Sequence, residues 1–252
     1  MRVYPLGDKL FDNIRSKLRE IDKHLPQKVL ADKAAPTGLL IILGDGREDN
    51  IVVPLICHHL NGNKTAAILK PTSTRYGAIQ TLKTIVKNYK AIAFILDQEN
   101  DELPSLSETV MRKLNEIGAE CEVKENLVGG RVVRYECILG DHRFRFVVVV
   151  NGLDDVGGPS HKIEDHLVRL AGVAVRGDSK DAWNGLGDVG RLEVFRKIYA
   201  DRDVAAGVLA SILRGWVCWI ARALSGLVCC ILGAIWLGFR RPVLRASPRW
   251  CF

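Results

Sequence analysis

The sequence predicts an α/β protein built on a mixed, mostly parallel sheet flanked by helices. Three observations carry this expectation. Between Leu39 and Ile117, short apolar runs alternate three times with amphipathic stretches. The runs "GLLIIL", "TAAILK" and "AIAFILD" are apolar nearly throughout, the pattern of strands covered on both faces. After Gly118 the pattern changes to "AECEVKEN", "RVVRYECILG" and "HRFRFVVVVNG", separated by Gly129-Gly130 and Gly140-Asp141. Those glycine pairs are the turn signals of a strand followed by an antiparallel hairpin, so the sheet is expected to be mixed.

Leu10, Ile14, Leu18 and Ile21 recur at helical spacing and predict an amphipathic helix over residues 8–24. Pro26 and Pro36 then bracket a short linker. Helices are expected over Asn50–Leu60, Arg75–Asn88 and Leu106–Ile117, with strands between them, and a last helix begins near Ser160 in "SHKIEDHLVRLAGV". Residues 177–190 ("GDSKDAWNGLGDVG") are rich in glycine and lack periodicity, which reads as a loop and a boundary. The expected organisation is an N-terminal helix and linker over 1–37 and an α/β domain over 38–175. A Gly-rich linker with a short helix follows over 176–203, and an apolar, Arg-containing helical tail over 204–252.

The net charge of +7 is unevenly placed. Beyond Asp203 there are six Arg and no Asp, Glu or Lys, so the preceding body holds 30 Lys and Arg against 29 acids. That near-neutral balance removes the general basic-protein argument for nucleic acid, leaving only a local patch to supply one. Four of the seven Cys and four of the five Trp also fall in the tail. Cys57, Cys121 and Cys137 in the body show no C-x-x-C spacing, which argues against a structural zinc site and a disulfide framework and suits a reducing cytosol. The charged N-terminus carries no signal-peptide pattern, so a cytoplasmic body is expected.

Residues 204–239 are apolar apart from Arg214 and Arg222, and Ala223 to Phe239 supplies 17 consecutive uncharged residues, the short end of what spans a hydrocarbon core. Membrane association through 204–239 is therefore expected, with a helix at Ala223 to Phe239. A tail without acids, rich in Trp, Cys and Arg, also has the composition of an out-of-frame extension of a GC-rich reading frame.

Ligands of open α/β sheets sit beyond the carboxyl ends of the strands, so acids there carry the functional expectation. Three groups qualify: Asp45 with Asp49 after the first predicted strand, Asp97, Glu99 and Asp101 in "FILDQEND", and Glu164 with Asp165 after "FVVVVNG". Hard oxygen ligands of this kind suit Mg²⁺ or Mn²⁺. Each acid taken alone is more often a turn or cap residue, and it is the three groups at one sheet edge together that carry the expectation; the three acids of "GDGRED" also suit a helix N-terminus.

"IILGDGREDN", followed some fifty residues later by "AFILDQEND", resembles the Toprim domain, in which one strand ends in Glu-Gly and a later one in Asp-x-Asp. Within that fold the chain is most similar to the small stand-alone Toprim-like proteins related to the overcoming-lysogenization-defect nucleases. "DGRED" stands where those carry Glu-Gly-Lys-x-Asp, and Glu164 in "HKIEDHLV" where they carry a later helical Glu. The resemblance covers roughly Leu39 to Gly172. It implies Mg²⁺- or Mn²⁺-dependent cleavage or transfer at a phosphodiester or phosphate ester. It implies Asp45 and Arg47 as catalytic residues, and Asp45, Asp97, Glu99, Asp101 and Glu164 as metal ligands. Two positions depart from the pattern: Asp45 is one methylene shorter than the family's Glu, and Glu99 one longer than its Asp. A non-catalytic binding module on the same fold, and a membrane-tethered protein whose tail is the working element, remain the alternatives.

Other motifs argue for less. Gly44-Asp45-Gly46 begins like a dinucleotide fingerprint, but the third glycine position holds Asp49, whose charge repels pyrophosphate. His58 and His59 are adjacent on a predicted helix and face different ways. His161 and Asp165 read as a helix-surface pair. "KPTSTRYG", Lys70 to Gly77, reads as a capped loop or an anion seat.

Overall fold

The buried apolar runs expected as strands lie side by side in a seven-stranded sheet of order β1-β3-β2-β4-β7-β6-β5. This computed structural model describes residues 1–32, 38–60, 64–71, 74–156, 158 and 160–213. Strands β1 (Arg2–Pro5), β3 (Thr65–Leu69), β2 (Leu39–Ile42), β4 (Ala91–Asp97) and β7 (His142–Asn151) are parallel. β6 (Val132–Leu139) and β5 (Ala119–Leu127) add antiparallel at one edge. The fold is therefore α/β with a mixed, mostly parallel sheet.

β2 and β4 are buried at every residue, which explains their unbroken apolar sequence. On one face, α4 (Gly77–Ile85) and α5 (Leu103–Glu116) close a core containing Phe94, Tyr135 and Phe146. The opposite side carries α1 (Asp8–Ile21), α2 (Leu25–Val29), α3 (Asp49–His59), α6 (Ile163–Ala171), α7 (Ser179–Gly185), α8 (Gly187–Ala200) and α9 (Arg202–Leu213). Ile14, Leu18 and Ile21 form the buried stripe of α1. Helix α3 is different: eight of its eleven residues are buried because α1, α8 and α9 also pack on it.

Three features differ from the expectations. "RVYP" forms β1, an edge strand paired with β3, so the N-terminal segment belongs to the sheet. Ser179–Gly185 and the start of Gly187–Ala200 are helical, within the 177–190 stretch whose glycine content predicts a loop; α7 is capped by Asp178, whose side chain accepts from the Lys180 N–H, and pinned by fully buried Trp183. Third, Cys121 and Cys137 face each other across β5 and β6 and are joined as a disulfide, while Cys57 is a buried free thiol. Strand register brought these two together, which sequence spacing does not reveal.

Met1–Gly215 is one compact unit. Ala205 and Val208 of α9 are buried in it, so the start of the apolar segment packs on the body. The expected span at 223–239 lies outside the described residues. Among those described, no helix is long and apolar enough to cross a membrane.

Candidate functional site

The carboxyl ends of β2, β3, β4 and β7 meet at one edge of the sheet, and the acids gather there. Asp97 is the last residue of β4 and stands in register with Asn151, the last of β7. Its Oδ1 accepts from Asn151 Nδ2 at 3.0 Å and from the Ile163 N–H at 3.0 Å, so the first turn of α6 is docked on it. That docking brings Glu164, the next residue, beside Asp97; only 7% of Glu164 is exposed.

Asp49 opens α3 and is fully buried, yet neither carboxyl oxygen has a hydrogen-bond partner among the described residues. The glycines of "GDG" make room for it. A Cβ on Gly44 would sit 2.6 Å from Asp49 Oδ2, and one on Gly46 would sit 3.0 Å from that atom and 3.7 Å from Asp97 Oδ2. Asp49 thus fills the niche that the two glycines leave. Gly44→Ala is expected to push the Asp49 carboxyl out of this niche. Titration calorimetry should then show Mn²⁺ binding weakened about tenfold or more.

Burial and crowding govern the titration of these groups. Desolvation first, then Asp97, pushes Asp49 well above the ordinary carboxylate range. Desolvation also raises Asp97 to about 6, against the lowering effect of its Asn151 and Ile163 hydrogen bonds. Glu164 rises to about 7, through desolvation and then through the charge of Asp97. The counter-charge is Lys70, just beyond β3, whose Nζ donates to the Gly46 carbonyl at 2.6 Å and to Asn50 Oδ1 at 2.8 Å. Desolvation lowers the Lys70 pKa, while Asp49, Asp45, Glu48 and Asp97 act in the raising direction.

The other expected residues lie around this group. Asp45 and Arg47 are exposed on the loop before α3. Glu99 and Asp101 turn to Arg75, at 3.5 and 2.7 Å, with about half of each side chain exposed. Glu99 takes a positive φ of 55°, uncommon for a residue with a side chain. It is fixed there by paired backbone hydrogen bonds with His161. Asp165 accepts from the Leu153 and Lys162 N–H groups and works as a helix cap, with His161 Nδ1 3.4 Å away.

The structure therefore joins Asp49, Asp97 and Glu164 with Lys70, and places Glu99 and Asp101 in a separate cluster on Arg75. The sequence groups Asp49 with Asp45 but does not single it out, and it reads Lys70 as part of a loop. The chain matches no family model, no curated protein and no solved structure. Chemistry alone must speak for the site. Among the described residues no three His, Cys, Asp or Glu side chains form a closed metal-binding group. Mg²⁺, however, is commonly held by one or two carboxylates, with water and substrate oxygens completing its shell. Asp49 and Asp97, straddling Gly46, fit that smaller requirement, and the unpartnered oxygens of Asp49 are the donors such an ion uses.

Proposed function

We propose that this is a Toprim-like, Mg²⁺- or Mn²⁺-dependent phosphoryl-transfer or nuclease-like protein acting on nucleic acid or a phosphate ester. The single observation that carries the reading is Asp49: a fully buried carboxyl with two unpartnered oxygens, beside Asp97 and Glu164 at the ligand-binding edge of an α/β sheet. A structural role does not explain it, since buried polar groups are otherwise hydrogen-bonded and a buried charge is otherwise paired.

Asp49 and Asp97 would hold the cation, with the charge of Glu164 acting on Asp97 from beside the pair. Asn151 and the Ile163 N–H occupy Asp97 Oδ1 and so orient its other oxygen. A bound divalent ion supplies Lewis acidity at a phosphoryl oxygen and lowers the pKa of coordinated water. Lys70 fixes the "GDG" loop from below and offers positive charge to a substrate oxygen. Arg75 stands at the rim, its guanidinium shared between two half-exposed carboxylates that a phosphate can replace. Asp45 and Arg47, exposed on the same loop, would meet substrate in this reading.

Calorimetric titration of the full-length chain with Mn²⁺, beside the Asp97→Asn variant, tests the reading. Saturable binding, lost or weakened more than tenfold in the variant, is the expected result. No binding by the unaltered chain would sink the metal-dependent reading and leave a non-catalytic module on this fold.

A further inference from the structure

The segment whose composition predicts a linker is tied to both acid-bearing helices. Trp183 of α7 is fully buried, and its Nε1 donates to Glu48 Oε1 at 2.9 Å, across 135 residues of sequence. Glu48 immediately precedes Asp49, and its charge acts on Glu164 and on Lys70. At the other end of α7, Asp178 caps the helix and pairs with Lys162 Nζ at 3.1 Å. Lys162 is in turn the N-cap residue of α6, two positions before Glu164. Trp183 stacks edge-on against Phe195 of α8, with ring centroids 5.5 Å apart, so its indole is held by packing before it holds anything else. Close approach of the chain secures the same region: a Cβ on Gly158 would lie 2.4 Å from the Gly177 carbonyl oxygen.

We propose that α7 is a brace that sets the spacing of the acid cluster, with Trp183 as its positioning residue. One clip, Trp183 to Glu48, fixes the start of α3 and hence Asp49. The other, Asp178 to Lys162, fixes the start of α6 and hence Glu164. The two helices come from distant parts of the chain and share no strand, so a short helix joined to both defines their separation. Partners that hydrogen-bond a metal ligand directly tune affinity about 10- to 100-fold. Trp183 and Asp178 act one step further out, through Glu48 and Lys162, so an effect at the low end of that range is expected. The inference rests on the reading of the cluster as a divalent-cation site.

The test uses the full-length chain labelled with 5-fluorotryptophan, with Mn²⁺ affinity read by calorimetry and Mg²⁺ titrations read by ¹⁹F NMR. Trp183→Phe keeps a ring against Phe195 but removes the N–H, and its spectrum assigns the Trp183 resonance. The expected result is Mn²⁺ affinity about tenfold weaker in Trp183→Phe, with its unfolding midpoint near that of the unaltered protein. The Trp183 resonance should also move in step with Mg²⁺ saturation. Wild-type affinity in Trp183→Phe, or a resonance unmoved at saturation, overturns the brace while leaving the cation site standing. Failure of the unaltered chain to bind Mn²⁺ overturns both. Should Trp183→Phe not fold, Asp178→Asn decides instead. It keeps a capping side chain but breaks the ion pair to Lys162, and the same loss of affinity is expected.

Discussion

Asp49→Asn is expected to make the metal-free protein more stable and to abolish its response to Mn²⁺. The carboxyl of Asp49 lies out of contact with water and accepts no hydrogen bond from any described residue, and Asp97 and Glu164 add their own charge nearby. Leaving a buried polar group unsatisfied costs about 1–3 kcal/mol, more when it is charged. An amide of the same shape carries no charge and has an N–H₂ to offer the neighbouring carboxylates. At this chain length about 1 kcal/mol moves the unfolding midpoint by roughly 2–4 °C. Thermal melts in chelator should therefore show a rise of several degrees for the variant. In excess Mn²⁺ the order should invert, because only the unaltered protein gains from binding. A variant less stable than the parent in chelator would show that the carboxyl is satisfied in the native state and is no ligand in waiting.

The second large effect is on pH. Without metal, Asp97 at about 6 and Glu164 at about 7 lie above their ordinary values near 4. A group raised in the folded state favours folding while protonated, so this stability is complete below about pH 4 and drains away as pH rises through 6 to 7. His166 works in the opposite direction. Burial first, and then Arg131 and Arg169, depress it to about 3. It is stabilising while neutral, and that contribution is lost as pH falls below its ordinary value near 6.5. Three raised carboxyls, Asp49 among them, act in the falling direction between pH 6 and pH 8. Against them stand His166 and the Met1 amino group, which burial lowers to about 6. The midpoint in chelator is therefore expected to carry a downward contribution from the cluster over this range. Asp97→Asn should reduce that contribution. Saturating Mn²⁺ should remove or reverse it, since the ion favours the ionised carboxylates. A pH dependence between 6 and 8 that Asp97→Asn leaves unchanged would contradict the raised carboxyls.

The sheet was legible in the sequence where strands are buried on both faces. "LLII" and "AIAFILD" have no solvent side, so their composition alone marks them as β2 and β4. β1 was not legible, because four residues give too short a pattern and only pairing with β3 defines them. α7 escaped for another reason: its helix depends on Asp178 and on the burial of Trp183, contacts that no local propensity encodes. In the site, the strand ends rightly marked where acids would collect. Which of them turn inward was decided by backbone details, namely two glycines leaving a niche for Asp49 and a positive φ sending Glu99 toward Arg75.

The acid cluster also draws on distant parts of the chain. Ile163, which docks on Asp97, lies 66 residues further along, and Trp183 lies 135 residues beyond Glu48. In chain order β2, β3 and β4 precede α6 and α7, so the mutually repulsive neighbourhood of Asp49 and Asp97 is completed by contacts from the far end of the domain. A chain cut before Ile163 would carry both carboxyls without the elements that bury and space them.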